Sequence, residues 1–506
     1  MRTTRDTMHT DWLAGRFLPA FQRPQALIVY NVHDLAYDLQ LSIATLVGLI
    51  NRSQASVYLD WREYDLFWLQ TALEHIPFTI SPLTGEAILF ALLKTYRERV
   101  TGYVIYDPAC IDSVNVATMI GSQRNGFVVS PALADMLCKE EYNLTIIDDM
   151  RTYTWSSRAH VYQWAMQHLF ARTTPGIVAG LPPQIALGIR PYLVATNAFI
   201  YWLHPLDIVP RKATGWLPER RVLKSILRAC SPGTMHLGWF LQEGSGVTLA
   251  SQNAIPVVAS DHFSNLETWS GAVHGEQISP VHIEQHTPLE LQPKVYVSFT
   301  MSEGDNLQYI QERMIRHWHD PQRGMIPIGW PMALTLRQAA PAMWDYYTRT
   351  ASTNDEFMAG PSGLGYSYPS QWPRPKLAEY LAQTGQAMQD MHMILLEVLD
   401  SNFFFHPFLI YRAIKQGSAM ILHNKRDQQR LVRELQASGL QGILSGGGLA
   451  RTSWRYSGSI PILHNVGIAN SVSQAVALIR RATKERCPAF LNVYVLAWRM
   501  GPTELQ

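Results

Sequence analysis

Residues 294–320 read "KVYVSFTMSEGDNLQYIQERMIRHWHD". The opening segment, 294–300, is short and rich in β-branched and aromatic residues, so it reads as a strand. After a polar turn, Leu307, Ile310, Met314 and Trp318 fall on one stripe at helical spacing. A strand followed by an amphipathic helix is half of a parallel crossover. Strand-like runs recur at "MIPIGW" (325–330), "EFMAG" (356–360), "MILLEVL" (393–399), "SAMILHN" (418–424), "GILSG" (442–446), "IPILHNV" (460–466) and "FLNVYVLAW" (490–498). Between most of them lie amphipathic segments such as "KLAEYLAQTGQAMQD" and "SVSQAVALIRRAT". Eight strands, most followed by a helix, predict an α/β chain whose residues 294–506 form a (β/α)8-like, TIM-type barrel. The sixth and seventh strands are joined by a helix-poor link, which makes that barrel irregular. A doubly wound open sheet is the alternative.

Upstream, a polar arm occupies residues 1–22. "ALIVY" (26–30), "ASVYLD" (55–60), "VTGYVIYDP" (100–108), "GFVVS" (126–130), "LTIID" (144–148), "MHLGWF" (235–240) and "IPVVASD" (255–261) alternate with helical segments. They predict an N-terminal α/β domain over 23–271 with a mostly parallel sheet, in two sub-blocks near 23–150 and 151–271. Residues 272–293, with scattered Pro and Gly, read as the linker. A chain of 506 residues is long enough for more than one core.

Composition narrows the partners. Hydrophobic residues make up 47% and charged residues 16%, which suits a well-packed globular protein. The 42 basic and 40 acidic residues leave a net charge of +2 with no long basic run, so no nucleic-acid partner is expected. No apolar run reaches about 18 residues, so no membrane helix is expected. "MRTTRDTMHTDWLAGRFLPAF" lacks the apolar core of a signal peptide. The chain as written reads as cytoplasmic, or as extracellular or periplasmic if its N-terminus is trimmed. Cys110, Cys138, Cys230 and Cys487 form no C-x-x-C pair and read as free thiols. No cofactor is expected, and no metal.

Barrel enzymes carry their chemistry at the C-terminal ends of the strands. There the first strand is followed by Glu303 and Asp305 around a glycine, a pair of carboxyls that also reads as a helix cap. Asn306 follows them. On the fourth strand Ile394, Leu396 and Val398 form a fully apolar face, so Glu397 points into the barrel, with Asp400 just beyond. A carboxyl aimed into a packed interior is costly unless paired or used. Trp330 and Trp498 end the second and eighth strands as candidate stacking rings. The fifth and seventh strands both end in "ILHN", placing His423 and His464 at matched positions that orient a substrate or ligate a metal. His317 and His319 read as solvent-facing on a helix.

The third strand leads into "GPSGLGYSYPS" (360–370). Gly363 and Gly365 permit positive φ and close approach. In an extended segment Tyr366 and Tyr368 project to one side, as phenols that stack on and bond a polyhydroxylated ligand or as a lid packed over the barrel. "GLGYSYP" (363–369) resembles the signature of the GxGYxYP family of putative glycoside hydrolases. "VSFTMSEGDN" (297–306), "GWPMALTLRQAAPAMWDYY", "DEFMAGPSG", "TLVGLINR" (45–52), "VTGYVIYDP" and the segment 237–266 are also similar to family segments, so the resemblance spans about residues 25–500. It implies an N-terminal domain, a C-terminal barrel-like domain and glycosidase activity. Gly363, Gly365, Tyr366, Tyr368 and Pro369 map onto the signature, and Gly304, Asp305 and Asn306 onto the family's turn. That turn often carries Asp where this chain has Glu303.

The resulting expectation is a carbohydrate-cleaving enzyme. Asp305, Glu397, Asp400 and Glu303 are its carboxyl candidates. Asn306, Trp330, Gly363, Gly365, Tyr366, Tyr368, His423, His464 and Trp498 would line its substrate site. A non-catalytic carbohydrate- or partner-binding protein, and a metal-dependent hydrolase or deacetylase, are the alternatives.

Overall fold

The computed structural model describes residues 16–138, 144–206, 218–272, 290–302, 306–400, 425–446, 453–483 and 487–506. Contacts divide the chain into two compact units. One comprises Met1–Leu249, Ser260–Glu276 and Gln338–Tyr346; the other comprises Ala250–Ala259, Gln277–Arg337 and Tyr347–Gln506.

The first unit carries nine short strands among the described residues: β1 (Leu27–Asn31), β2 (Val57–Asp60), β3 (Phe78–Ile80), β4 (Gly102–Ile105), β5 (Gly126–Val129), β6 (Thr145–Asp149), β7 (Ile177–Gly180), β8 (Phe199–Tyr201) and β9 (Met235–Gly238). Their pairings are parallel. β1 lies between β2 and β3, β4 between β5 and β6, and β7 between β8 and β9. Three successive parallel sheets thus each place the first of their strands between the two that follow it. The helix Tyr37–Ile50 explains part of this packing. It is apolar nearly all round, and from Leu41 to Ile50 every residue is buried. A helix of that kind serves as a core element rather than a surface cover.

The second unit holds β10 (Val257–Val258), β11 (Val295–Ser302), β12 (Ile328–Met332), β13 (Asp355–Ala359), β14 (Leu395–Leu399), β15 (Gly442–Gly446), β16 (Trp454–Ser457), β17 (Ile460–Ala469) and β18 (Ala489–Leu496). Seven of them close a parallel ring in the order β11, β12, β13, β14, β15, β17, β18 and back to β11. β16 runs antiparallel beside the first half of β17. The barrel is therefore parallel and closed, as the alternation predicts, but its ring has seven strands among the described residues. β14 pairs directly with β15 over five register positions, Leu395 with Gly442 through Leu399 with Gly446. The strand expected at 418–424 lies outside the described residues.

The helix Asn306–Trp318 packs on the outside of this ring. Trp318 meets Trp330 edge-on at 5.5 Å and stacks on Phe357 at 5.8 Å. The indole N–H of Trp330 donates to Asp355 Oδ1 at 2.9 Å. Trp330 is 1% exposed. It is a core ring between barrel and helix, and the expectation of a stacking ring at the mouth is corrected. His317 is likewise buried and bonds the Ala497 carbonyl at 2.7 Å, in place of the expected solvent-facing position.

Candidate functional site

The interior of the barrel is identified by its polar ladder. Asn492 on β18 accepts from Ser298 Oγ at 3.0 Å and from Thr300 Oγ1 at 2.9 Å, both on β11. Two residues further along β18, the Tyr494 hydroxyl donates to the Leu444 carbonyl at 3.2 Å. β15 is not a neighbour of β18, so this bond runs across the inside of the ring.

Glu397 belongs to the same interior. It is 0% exposed on β14, while Leu396 and Val398 alternate to the other face. Burial, and then the Glu397 carboxylate, push the Tyr494 phenol well above its ordinary value. A Cβ added to Gly360 would lie 2.7 Å from Glu397 Oε2 and 3.1 Å from the Cβ of Pro331, so only glycine fits beside this carboxyl. Asp400, 5% exposed, follows the strand. It accepts from the Ser370 hydroxyl at 2.7 Å and from the Ser370 amide at 3.2 and 3.4 Å.

The Gly360–Ser370 loop frames the end of β14. Ser362 donates its amide to the Glu397 carbonyl at 2.8 Å, and its hydroxyl bonds both the Leu399 carbonyl and the Leu399 amide. Gly363 has φ +128°, and a Cβ there would lie 2.7 Å from the Tyr380 hydroxyl and 2.8 Å from Thr384 Oγ1. Gly365 lies against Pro256 and the Val257 backbone, where a Cβ would come within 3.0 Å. The two glycines of the signature thus serve close approach, one toward a helix and one toward another chain segment. Tyr366 and Val257 exchange reciprocal backbone bonds of 2.7 and 3.0 Å, and the Tyr368 amide donates to Ser251 Oγ at 2.9 Å.

Sequence reasoning missed Tyr380. Its hydroxyl contacts the Gly365 carbonyl at 2.8 Å and the Ser362 carbonyl at 3.2 Å, and receives Ser367 Oγ at 3.2 Å. Burial lifts this phenol to about 12. The signal was present: Tyr380 and Thr384 are polar-tipped residues on the stripe that Leu377 and Leu381 make apolar.

The remaining candidates separate. Tyr366 and Tyr368 are each 5% exposed, their rings edge-on and their hydroxyls 3.4 Å apart. They project together, as expected, but neither offers an open ring face, which corrects the expectation of a stacking platform. Asn306 is buried at the start of its helix and donates to the Pro331 carbonyl at 3.4 Å. Trp498 is 41% exposed and meets Tyr309 edge-on. His464 pairs with Ser445, one position past the Glu397–Leu444–Leu463 row, so strand alternation turns it away from Glu397. This corrects the expected convergence of His464 with the fourth-strand acid. Glu303, Gly304, Asp305 and His423 lie outside the described residues.

Comparison with known proteins places these features in a family. Residues 293–506 match the GxGYxYP putative glycoside hydrolase C-terminal domain. Residues 100–173 match the second domain of the GxGYxYP N-terminal region, and residues 174–271 its third domain. No protein of curated function matches. A crystal structure of a putative hydrolase from Bacteroides thetaiotaomicron superposes with a TM-score of 0.78 at 20% identity, over 98% of this chain and 93% of that one. That likeness shows the fold. A putative UDP-N-acetylglucosamine 2-epimerase from Listeria monocytogenes has a TM-score of only 0.15 and carries no argument.

Proposed function

We propose that this chain, a GxGYxYP-family protein by its C-terminal domain and two N-terminal domains, cleaves a glycosidic bond at the C-terminal end of its barrel. The observation that carries the reading is Glu397, a wholly buried carboxyl inside the ring near its C-terminal end, with Asp400 three residues on. Glycoside hydrolysis needs two carboxyls in unlike environments, one holding a proton for the leaving oxygen and one charged. Glu397 sits in a dry interior beside the Tyr494 phenol, whereas Asp400 sits under two donors from Ser370. Trp498, with an open ring at the end of β18, is the proposed sugar-stacking residue. Asp305 is the third carboxyl candidate, on the ground of the family turn alone.

The test is a screen of the protein against a broad glycan panel, repeated with Glu397→Gln, Asp400→Asn and Asp305→Asn. Turnover by the parent should fall at least about 100-fold in Glu397→Gln and in Asp400→Asn. Unchanged turnover in both variants would remove these two acids from the chemistry. Glycan binding without any turnover by the parent would instead favour a carbohydrate-binding protein.

A further inference from the structure

The loop from Gly360 to Ser370 reaches the end of β14 at three points. Gly360 lies against the Glu397 side chain, Ser362 bonds the Glu397 carbonyl and both backbone groups of Leu399, and Ser370 bonds Asp400. The same loop is tied down elsewhere. Residues 250–259 hold it through the Tyr366–Val257 bridge and the bond from Tyr368 to Ser251. The helix Arg374–Asp390 holds it through Tyr380 and through Thr384, which accepts from the Leu364 amide at 3.1 Å. Ser370 follows the signature by one residue, so its amide and hydroxyl point from a backbone that has little freedom to move.

We infer that Ser370 is a positioning residue for Asp400, and that the signature loop is the frame that carries Ser370 to it. Two donors on one carboxylate fix its rotation and favour its charged form. The buried tyrosines and the glycines of the signature then act through the backbone path they impose, and the loop delivers a serine instead of a sugar platform. The inference rests on the reading of Asp400 as one of the two working carboxyls.

The experiment follows the side-chain carboxyl carbon of Asp400 by NMR in full-length protein labelled at aspartate, with Asp400→Asn identifying the signal. Ser370→Ala removes the hydroxyl and keeps the amide, and should raise the titration midpoint of Asp400 by about one pH unit. Ser370→Thr restores a hydroxyl and should return the midpoint toward that of the parent. A midpoint unchanged in Ser370→Ala overturns the inference, whether or not the protein turns over a glycan. On a glycan substrate Ser370→Ala should lower kcat about 10-fold or more with little change in KM. A shifted midpoint in a protein that turns over no glycan upholds the positioning of Asp400 and overturns the glycosidase reading.

Discussion

Single residues decide most of what is chemically unusual here. Glu267, in the helix Leu266–Gly271, is fully buried, accepts one bond from Asn51 at 3.1 Å, and is lifted by burial to about 7. The folded protein therefore binds this proton more tightly than the unfolded chain, whose Glu titrates near 4.5. The contribution to stability is full below about pH 4.5 and is lost as pH rises through about 7. Glu267→Gln should remove that slope. Urea denaturation at pH 8 should show the variant more stable than the parent by about 3 kcal/mol, and at pH 4 the two should coincide. A difference independent of pH would contradict the assignment. The sequence offers no hint of this group, because Glu267 lies between "SNL" and "TWS" like any helix-capping acid. Trp330 shows the converse difficulty. "PIGWPM" is apolar at nearly every position, so period-two alternation cannot tell its inner from its outer face. Only the packing of Trp318 and the bond to Asp355 does so.

At the scale of elements, the β13–β14 seam is the weak point of the ring and the place where the signature loop is used. The two strands share a single register pair, Ala359 with Leu396, and the loop supplies the next bond through Ser362. Gly363 lets the chain turn back there, and its cost of replacement has two parts. Gly363→Ala should destabilise the protein by about 2 kcal/mol or more, because the new methyl meets the Tyr380 hydroxyl as well as an unfavourable φ. Gly233, at φ +85° with open space for 4 Å around the point a methyl would occupy, supplies the control. Gly233→Ala should cost only about 1 kcal/mol. Equal losses in chemical denaturation would show that crowding by Tyr380 contributes nothing. Seven of the eight expected strands lie where apolar runs place them, and the eighth, at 418–424, lies outside the described residues. The number in the ring was not legible, since a run of apolar residues does not state which neighbour it will pair with. The closed set of pairings from β11 round to β18 settles that point for the described residues.

At the scale of the whole molecule, the barrel unit is not continuous in sequence. It takes residues 250–259 from far upstream, and these pair with Tyr366 and cap the start of the first barrel helix through the Gln308 amide and Ala259 carbonyl at 3.1 Å. Val257→Pro deletes one of the two reciprocal bonds to Tyr366. Hydrogen exchange should then speed up at least about 10-fold at the Tyr366 and Tyr368 amides, with β11 and β18 unchanged. Uniform protection in the variant would mean that the upstream segment does not hold the loop. The sequence by itself determined the α/β class, the parallel sheets, most strand positions, the family signature and the inward direction of Glu397. Those follow from local periodicity and from short-range chemistry, which neighbouring residues encode directly. Tertiary structure alone decided the seven-strand closure, the burial of Tyr366, Tyr368 and Trp330, the turning away of His464, and the meeting of Ser370 with Asp400. Each of these depends on register or on contacts between residues far apart in the chain, and no local pattern carries that information.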